Sequence, residues 1–305
     1  MIVLVTNDDG IGAKGIQTLR RALSELPDVE VRVIAPHTNR SGTARSITTH
    51  SPIWVEEIEF EDGSIGFATE GTPVDCVRFA DLGLLGAKPD LIVSGINHGS
   101  NLGDDVTYSG TVAAAFEGII LGVPGIAVSQ QAGVGGMGYA GREFDFTVAA
   151  AVSREIVRRL IAEPLTPGTL LNINCPAGEV AGIEVTRLGK RLYNDELKLI
   201  DEGAGSRRRY EIYGFEPSFE DEEGTDLAAV ARQRIALTPI HFDLTDHGGL
   251  ELLGAWDLEE LAGAVDLPNV PPASSNTNVS PASSASRPGA TGSAGGAAGS
   301  ASAPG

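Results

Sequence analysis

Cysteine is scarce in this chain of 305 residues, which contains only Cys76 and Cys175. Neither belongs to a CxxC pair or a metal-ligand pattern, so we expect two buried, reduced thiols in a cytoplasmic protein. The sequence also has no run of about eighteen apolar residues, which excludes a transmembrane helix and a membrane partner. The N-terminus, MIVLVTNDDG, has no basic region and no cleavage site, and this favours a buried strand over a signal peptide.

Basic residues are also few, with 22 Lys and Arg against 41 Asp and Glu and a net charge of −19. A nucleic-acid groove needs a basic stripe to neutralise phosphates, so we expect no nucleic-acid polymer as partner. A small phosphorylated substrate is still allowed, because a bound cation can reverse the local field.

Strand and helix signals alternate through the first half of the chain. An apolar run at 1–7 is followed by helical periodicity over 14–26 and a strand at 29–36. The same rhythm continues with a helix from Thr72–Pro73, strands at 89–97, 122–129 and 169–176, and helices at 111–122 and 144–163. It predicts an α/β fold of the Rossmann-like, doubly wound type, with a mostly parallel sheet.

The rhythm changes after about residue 190. Strand signals at 207–215 and 234–246 flank a short helix, while the chain from about 272 is Ala, Ser, Gly, Pro and Asn. Such a tail buries too little apolar area to offset its ordering entropy. We therefore predict a catalytic core at 1–190, a β-rich extension or oligomerisation arm at 191–250, and a C-terminal segment at 251–305 that is disordered from about 272.

Polar clusters follow the predicted strands, at the edge where a doubly wound sheet binds ligands. Asn7–Asp8–Asp9–Gly10 comes first. Adjacent carboxylates repel each other unless a cation lies between them, and Mg²⁺ or Mn²⁺ prefers oxygen ligands. A polar turn with an Asp N-cap is the competing interpretation for such a pair alone.

Three further clusters lie in later loops. Asn39–Gly42 offers a serine hydroxyl, and an arginine that could pair with an anionic substrate. The segment Ser94–Asp104 crowds glycine and asparagine at the end of a buried strand, where amide oxygens can ligate a hard metal. Tyr108–Thr111 begins a helix, whose free N–H groups and dipole form an anion site.

The glycines of Gly10–Gly15 match the dinucleotide fingerprint G-x-G-x-x-G, which makes an NAD(P)-dependent oxidoreductase the alternative enzyme. Two observations argue against it. Asp8 and Asp9 would repel a pyrophosphate, and the second strand ends in Ala35–Pro36–His37 where an acidic residue is expected. A non-catalytic sensor that binds nucleotide and metal is the third interpretation.

At these clusters the sequence resembles the SurE family of survival-protein nucleotidases. The resemblance covers about residues 1–250 and lies in VTNDDG (5–10), the AP…RSG segment (35–42), GTPVDCV (71–77), the highly specific stretch at 94–118, and more weakly GTDLAAV (224–230) and LTPIHFDLTD (237–246). It implies one divalent cation, Mg²⁺ or Mn²⁺, and release of phosphate from nucleoside 5′- or 3′-monophosphates. Some members also cleave short polyphosphate, and the arm typically forms homodimers or homotetramers.

The resemblance also implies a set of site residues. Carried over by position, the metal ligands are Asp8, Asp9, Ser41 and Asn97, and the phosphate and substrate contacts are Asn7, Arg40, Asn101, Ser109, Gly110 and Thr111. Asp8 or Asp9 would act as the catalytic base, with a covalent aspartyl-phosphate as the lower-ranked alternative.

The sequence departs from the family pattern at a few positions. Arg40 stands where glutamine is expected, and this departure touches the predicted site and its substrate preference. Glu211 and Gln233–Arg234 depart from the pattern in the predicted arm, where they affect only its geometry.

Overall fold

The computed structural model describes residues 1–133, 144–193, 196–203, 205–212 and 218–265. The tail predicted to be disordered from about 272 lies outside these residues. Contacts group the chain into two compact units, Met1–Leu244 and a second that begins at Thr245. In the second unit, no residue of its two described helices is buried.

The described strands are β1 (Ile2–Thr6), β2 (Glu30–Pro36), β3 (Val55–Glu59), β4 (Ile65–Thr69), β5 (Leu91–His98), β6 (Gly125–Gln130), β7 (Thr169–Cys175), β8 (Gly182–Val185), β9 (Arg191–Leu192), β10 (Lys198–Glu202), β11 (Arg208–Glu211), β12 (Ser218–Phe219) and β13 (Arg234–His241). Nine of them form the central sheet of the first unit, in the order β3-β4-β2-β1-β5-β6-β7-β13-β8. The pairs β10–β11 and β9–β12 form two small antiparallel sheets beside it.

The helices are α1 (Lys14–Ser24), α2 (Pro73–Asp81), α3 (Gly110–Ile120), α4 (Thr147–Ala162), α5 (Asp226–Ala231), α6 (His247–Gly254) and α7 (Leu258–Ala264), with a 3₁₀ helix at Gly103–Thr107. In the described part of the chain, no helix is long and apolar enough to cross a membrane.

The sheet is mostly parallel, as predicted. Strands β4, β2, β1, β5, β6 and β7 run in one direction, and antiparallel pairing occurs at β3–β4 and β7–β13. Strand β1 lies between β2 and β5, so the strand order reverses there. In doubly wound sheets the ligand crevice opens beyond the carboxyl ends of the strands at this switch point.

Helices cover both faces of the sheet, which confirms the doubly wound fold. Helices α1 and α4 pack on one face, against the side chains of Val3 and Val5. Helices α2 and α3 pack on the other face, against Leu4. Because successive side chains of a strand point to opposite faces, a strand covered on both sides reads as one continuous apolar run, and β1 does so. Cys76 and Cys175 are buried, free thiols, as predicted.

The sequence does not predict the hairpin of β3 and β4. Strand β3 reads VEEIE and is largely exposed, with its glutamates toward solvent. Charged side chains protect an edge strand from pairing with other chains, but they also hide the alternation that identifies a strand. The preceding segment, 37–53, contains no helix or strand and forms a loop.

The second half of the chain returns to the central sheet through β13. This strand lies between β7, to which it is antiparallel, and β8, to which it is parallel. The short helix predicted within 224–232 is α5, and the strand signal at 207–215 contains β11. The division at residue 190 between core and arm stays a prediction.

Thr72 caps α2 through a reciprocal pair of hydrogen bonds with Asp75. The Thr72 hydroxyl accepts from the Asp75 N–H at 3.2 Å, and the Asp75 carboxylate accepts from the Thr72 N–H at 2.9 Å. We expect Thr72→Ala to lower the free energy of unfolding by about 1–2 kcal/mol, measured by urea denaturation. Thr18→Ala is the control, because that hydroxyl bonds the Lys14 carbonyl within α1 and its loss should change stability by less than about 0.5 kcal/mol.

Candidate metal and phosphate site

A tight turn after β1 holds the acidic pair. The Asn7 amide donates to the Gly10 carbonyl at 2.9 Å and accepts from the Gly10 N–H at 3.2 Å. Gly10 has φ +104°, a left-handed conformation that favours glycine. Asn7, predicted to contact substrate, thus braces the turn that presents Asp8 and Asp9 at the switch point.

Asp8 lies against the N-terminus of α3. The Thr111 hydroxyl donates to its carboxylate. Gly110 packs so closely that an added Cβ would lie 2.8 Å from the Asp8 Cβ. Burial, and then the charge of Asp9, raise the pKa of Asp8 to about 6. A cation beside the pair would relieve this repulsion and restore the ionised carboxylate.

Asp9 joins the end of β1 to the end of β5. Its Oδ2 accepts from the His98 backbone N–H at 3.0 Å and lies 2.8 Å from His98 Nδ1. The His98 ring packs edge-on against Phe144 and Phe146, with centroids 5.0 and 4.8 Å away. The acidic pair and the Asn/Gly-rich segment therefore meet, although His98 was not among the predicted site residues.

Asn97 carries an unpaired buried oxygen. Its side-chain N–H donates to the Gly99 carbonyl at 2.9 Å, while its Oδ1 is buried and has no hydrogen-bond partner. The β5–β6 register shifts between Ser94 and Asn97, and irregularities of this kind are common next to active sites. A buried amide oxygen without a donor is destabilising unless a cation ligates it, so it supports Asn97 as a ligand.

The loop at 37–53 reaches the same edge. The Arg40 backbone N–H donates to the Asp8 carbonyl at 2.6 Å, so the segment that carries Ser41 is attached to the turn that carries the acidic pair. The Arg40 guanidinium donates to the Glu70 carbonyl at 2.6 Å. The loop is therefore tied both to the turn after β1 and to the end of β4.

A buried carboxylate on α3 fixes the far part of this loop. Glu117 is only 1 % exposed and forms ion pairs with Arg45 at 3.0 Å and with Arg78 of α2 at 2.5 Å. The Thr48 hydroxyl and N–H also donate to Asp75 at the start of α2, at 2.7 and 3.1 Å. An irregular segment thus acquires a defined position through side chains of two helices.

Asn101 is held by asparagines of β7. Its backbone N–H donates to Asn174 Oδ1 at 2.8 Å, and its carbonyl accepts from Asn172 and Asn174 at 2.9 and 3.0 Å. Its side chain donates to the Ser129 hydroxyl of β6 at 2.8 Å. The backbone of Asn101, the predicted phosphate residue, is therefore held by asparagines that lie outside the predicted clusters.

The beginning of α3 completes the anion side of the site. Ser109 is the N-cap, and its hydroxyl accepts from the Val112 N–H at 3.1 Å. The first N–H groups of a helix have no acceptor within the helix, and the dipole is positive there. Because Gly110 and Thr111 also contact Asp8, the anion site and the acidic pair share one surface.

Asp226 ties the loop before α3 to the second half of the chain. The buried carboxylate of Asp226 accepts from the backbone N–H groups of Gly103, Gly189 and Leu227, each at 2.8 Å. The loop that carries Asn101 therefore depends on a residue 123 positions beyond Gly103.

The donors that converge at this edge are oxygens. No group of three or more Asp, Glu, His or Cys side chains that could hold a metal occurs within the part of the chain that the structure describes. The candidate set instead combines two carboxylates with an amide and a hydroxyl oxygen, from Asp8, Asp9, Asn97 and Ser41. Hard divalent cations favour such ligands, whereas softer metals favour thiolate and imidazole.

Known proteins are similar to this chain in sequence and in fold. The family model described as "Survival protein SurE" matches residues 3–195. The 5′-nucleotidase SurE of Rubrobacter xylanophilus is 50% identical over 266 residues, covering 86% of this chain and 99% of the relative. That of Chloroflexus aggregans is 46% identical over 262 residues, covering 85% and 100%. The crystal structure of the SurE protein from Aquifex aeolicus has a TM-score of 0.67 at 37% identity, covering 83% of this chain and 98% of that one.

Proposed function

This chain belongs to the SurE family, and we infer from that membership that it is a metal-dependent 5′-nucleotidase, which hydrolyses nucleoside monophosphates to nucleoside and phosphate. The observation that carries this function is the shared surface of the Asp8–Asp9 pair and the N-terminus of α3. The oxidoreductase alternative is not supported, since the relatives are named nucleotidases and two carboxylates stand where a pyrophosphate would lie.

We propose one Mg²⁺ or Mn²⁺, held by Asp8, Asp9, Ser41 and Asn97. The unpaired Asn97 Oδ1 and the raised pKa of Asp8 support this set, because both are relieved by a positive charge. The bound cation supplies Lewis-acid polarisation of the phosphoryl group and a lower pKa for an attacking water.

The remaining steps fall to the chain's own residues. One carboxylate of the pair would accept the proton of the attacking water. The hydrogen bonds of Asp9 to His98 fix the orientation of the Asp9 carboxylate. The first N–H groups of α3, that of Thr111 among them, and the Ser109 hydroxyl would offset charge on the phosphoryl oxygens. Arg40 would line the substrate side, and the buried Asn7 would act from behind it by holding the turn that carries the acidic pair. Hydrolysis of 3′-nucleotides and short polyphosphate belongs to this proposal as further substrates.

We also propose a homodimer or homotetramer in the cytoplasm. Large apolar side chains of the predicted arm support an oligomer, since Leu199, Ile200 and Tyr210 are all about half exposed. The two buried, reduced thiols support a reducing compartment.

Phosphate release tests the function directly. We expect the protein to release phosphate from AMP, GMP and other 5′-nucleotides when Mg²⁺ or Mn²⁺ is present. Its turnover should fall to nearly zero in EDTA and recover when the metal is restored. The assay should include 3′-nucleotides and short polyphosphate. Unchanged turnover in EDTA would contradict the metal requirement. Nucleotide binding without any release of phosphate would indicate the sensor instead.

A further inference from the structure

A second cleft opens at the same edge of the sheet, beyond β2 and β4. It has a volume of about 570 Å³, and its lining includes His37, Trp54, Glu56 and Glu70. The indole of Trp54 is 76% exposed, although the cleft could shelter it. The exposed Trp54 side chain lies at the rim of the cleft, so its flat face is open to a ligand bound there.

Hydrogen bonds connect this cleft to the acidic pair. The Trp54 carbonyl accepts from the Glu70 N–H at 3.2 Å, and the Glu70 carbonyl accepts from Arg40, whose own N–H bonds Asp8. Strand β4 lies two strand spacings from β1, about 10 Å. The Arg40 side chain therefore reaches from the turn of the acidic pair to the rim of the cleft, and a nucleotide with its phosphate at the pair would extend in the same direction.

The chemistry of the cleft suits a base better than a second phosphate. An exposed indole offers a flat surface on which a base can stack. The carboxylates of Glu56 and Glu70 repel phosphate but accept hydrogen bonds from N–H groups. A base that carries an amino group therefore fits, with its flat face on the indole and its donor edge toward a carboxylate.

We propose that this cleft binds the base of the nucleotide, stacked on Trp54, with amino-bearing bases preferred because of Glu56 and Glu70. The proposal rests on the proposed nucleotidase function. It assigns the phosphate end to the acidic pair and the base end to a cleft that no metal ligand touches.

Tryptophan fluorescence tests the contact without turnover. The chain has two tryptophans, so Trp256→Phe leaves Trp54 as the sole reporter. In EDTA, we expect GMP to quench the Trp54 fluorescence of this variant in a saturable way, whereas ribose 5-phosphate should leave the fluorescence unchanged. The matched control, Trp54→Phe, should show no quenching. Equal quenching by ribose 5-phosphate, or quenching that persists in Trp54→Phe, would overturn the proposal.

Kinetics supply the second test. Trp54→Ala should raise KM for GMP about tenfold, the effect of losing one stacking contact, and leave turnover of ribose 5-phosphate unchanged. Wild-type protein should show a lower KM for GMP than for IMP, which lacks the amino group. Trp256→Ala is the control and should behave as wild type.

The two failures are distinguishable. Wild-type KM values in Trp54→Ala, in a protein that does hydrolyse nucleotides, would overturn the base site alone. A wild-type protein that releases no phosphate from any nucleotide would overturn the proposed function.

Discussion

Asp8→Asn should lower kcat for nucleotide hydrolysis by roughly a thousandfold, since the metal's charge stabilisation is several kcal/mol and each tenfold in rate corresponds to about 1.4 kcal/mol. The substitution removes one ionised ligand and one of the two candidate bases. It keeps the size of the side chain and an oxygen that can still accept from the Thr111 hydroxyl. Initial rates with AMP and saturating Mn²⁺ measure the effect.

The same substitution should stabilise the metal-free protein at neutral pH. Burial raises the pKa of Asp8 from 3.8 to about 6, so the fold favours the protonated carboxyl. The contribution of Asp8 to the free energy of unfolding is fully present below about pH 4 and is lost as the pH rises through 6. At pH 7.5 the loss is at most about 3 kcal/mol, and Asp8→Asn avoids it. Urea unfolding in EDTA at pH 5 and 7.5, for both proteins, isolates this difference.

Metal-induced stabilisation gives the matching control. Mn²⁺ should raise the melting temperature of the wild type but not that of Asp8→Asn, because ligands that bind the native state stabilise it. Asp201→Asn, at an exposed position of β10, changes the charge equally and should retain both activity and the metal response. Wild-type turnover and metal response in Asp8→Asn would contradict the assignment of Asp8.

Gly110→Ala should lower kcat/KM about a hundredfold while leaving the fold intact. The new Cβ would lie 2.8 Å from the Asp8 Cβ and 3.0 Å from its Oδ2, so the carboxylate must move. A displacement of about 1 Å in a catalytic group can reduce the rate a hundredfold. Gly110 is the first residue of α3, so the preference of helix interiors for alanine over glycine offsets little of this strain. Steady-state kinetics and thermal unfolding measure the two effects.

Gly263→Ala is the matched control for this substitution. Gly263 lies within α7 and has open space around its missing Cβ, so the alanine should favour the helix without changing turnover. Unchanged kcat/KM in Gly110→Ala would show that the close approach of α3 to Asp8 is not required for catalysis.

The sequence predicts the location of the site because apolar strands end where its polar clusters begin. Parallel strands bring their carboxyl ends to one edge, so the turn after β1 and the end of β5 could be predicted to meet. The resemblance then supplied roles for Asp8 and Asn97. The central sheet and its covering helices followed from the same alternation.

Other features had no local signal. The asparagines of β7 support Asn101 across 71 and 73 positions, and an asparagine in a buried strand does not indicate its partner. His98 lies inside the Asn/Gly-rich motif, but its pairing with Asp9 joins positions 89 residues apart, next to an irregularity in the β5 register. Periodicity shows that a residue is in a strand and not where a bulge turns its side chain.

Asp226 has a consequence for the order in which the protein is assembled. Its carboxylate accepts hydrogen bonds from the backbone N–H groups of Gly103 and Gly189, which both precede it in the chain. Because the ribosome synthesises the chain from its N-terminus, the segments that form β1, β5 and α3 are synthesised well before this carboxylate. The loop that carries Asn101 therefore acquires its brace late, and a nascent chain that ends before residue 226 holds every predicted ligand without a finished catalytic surface.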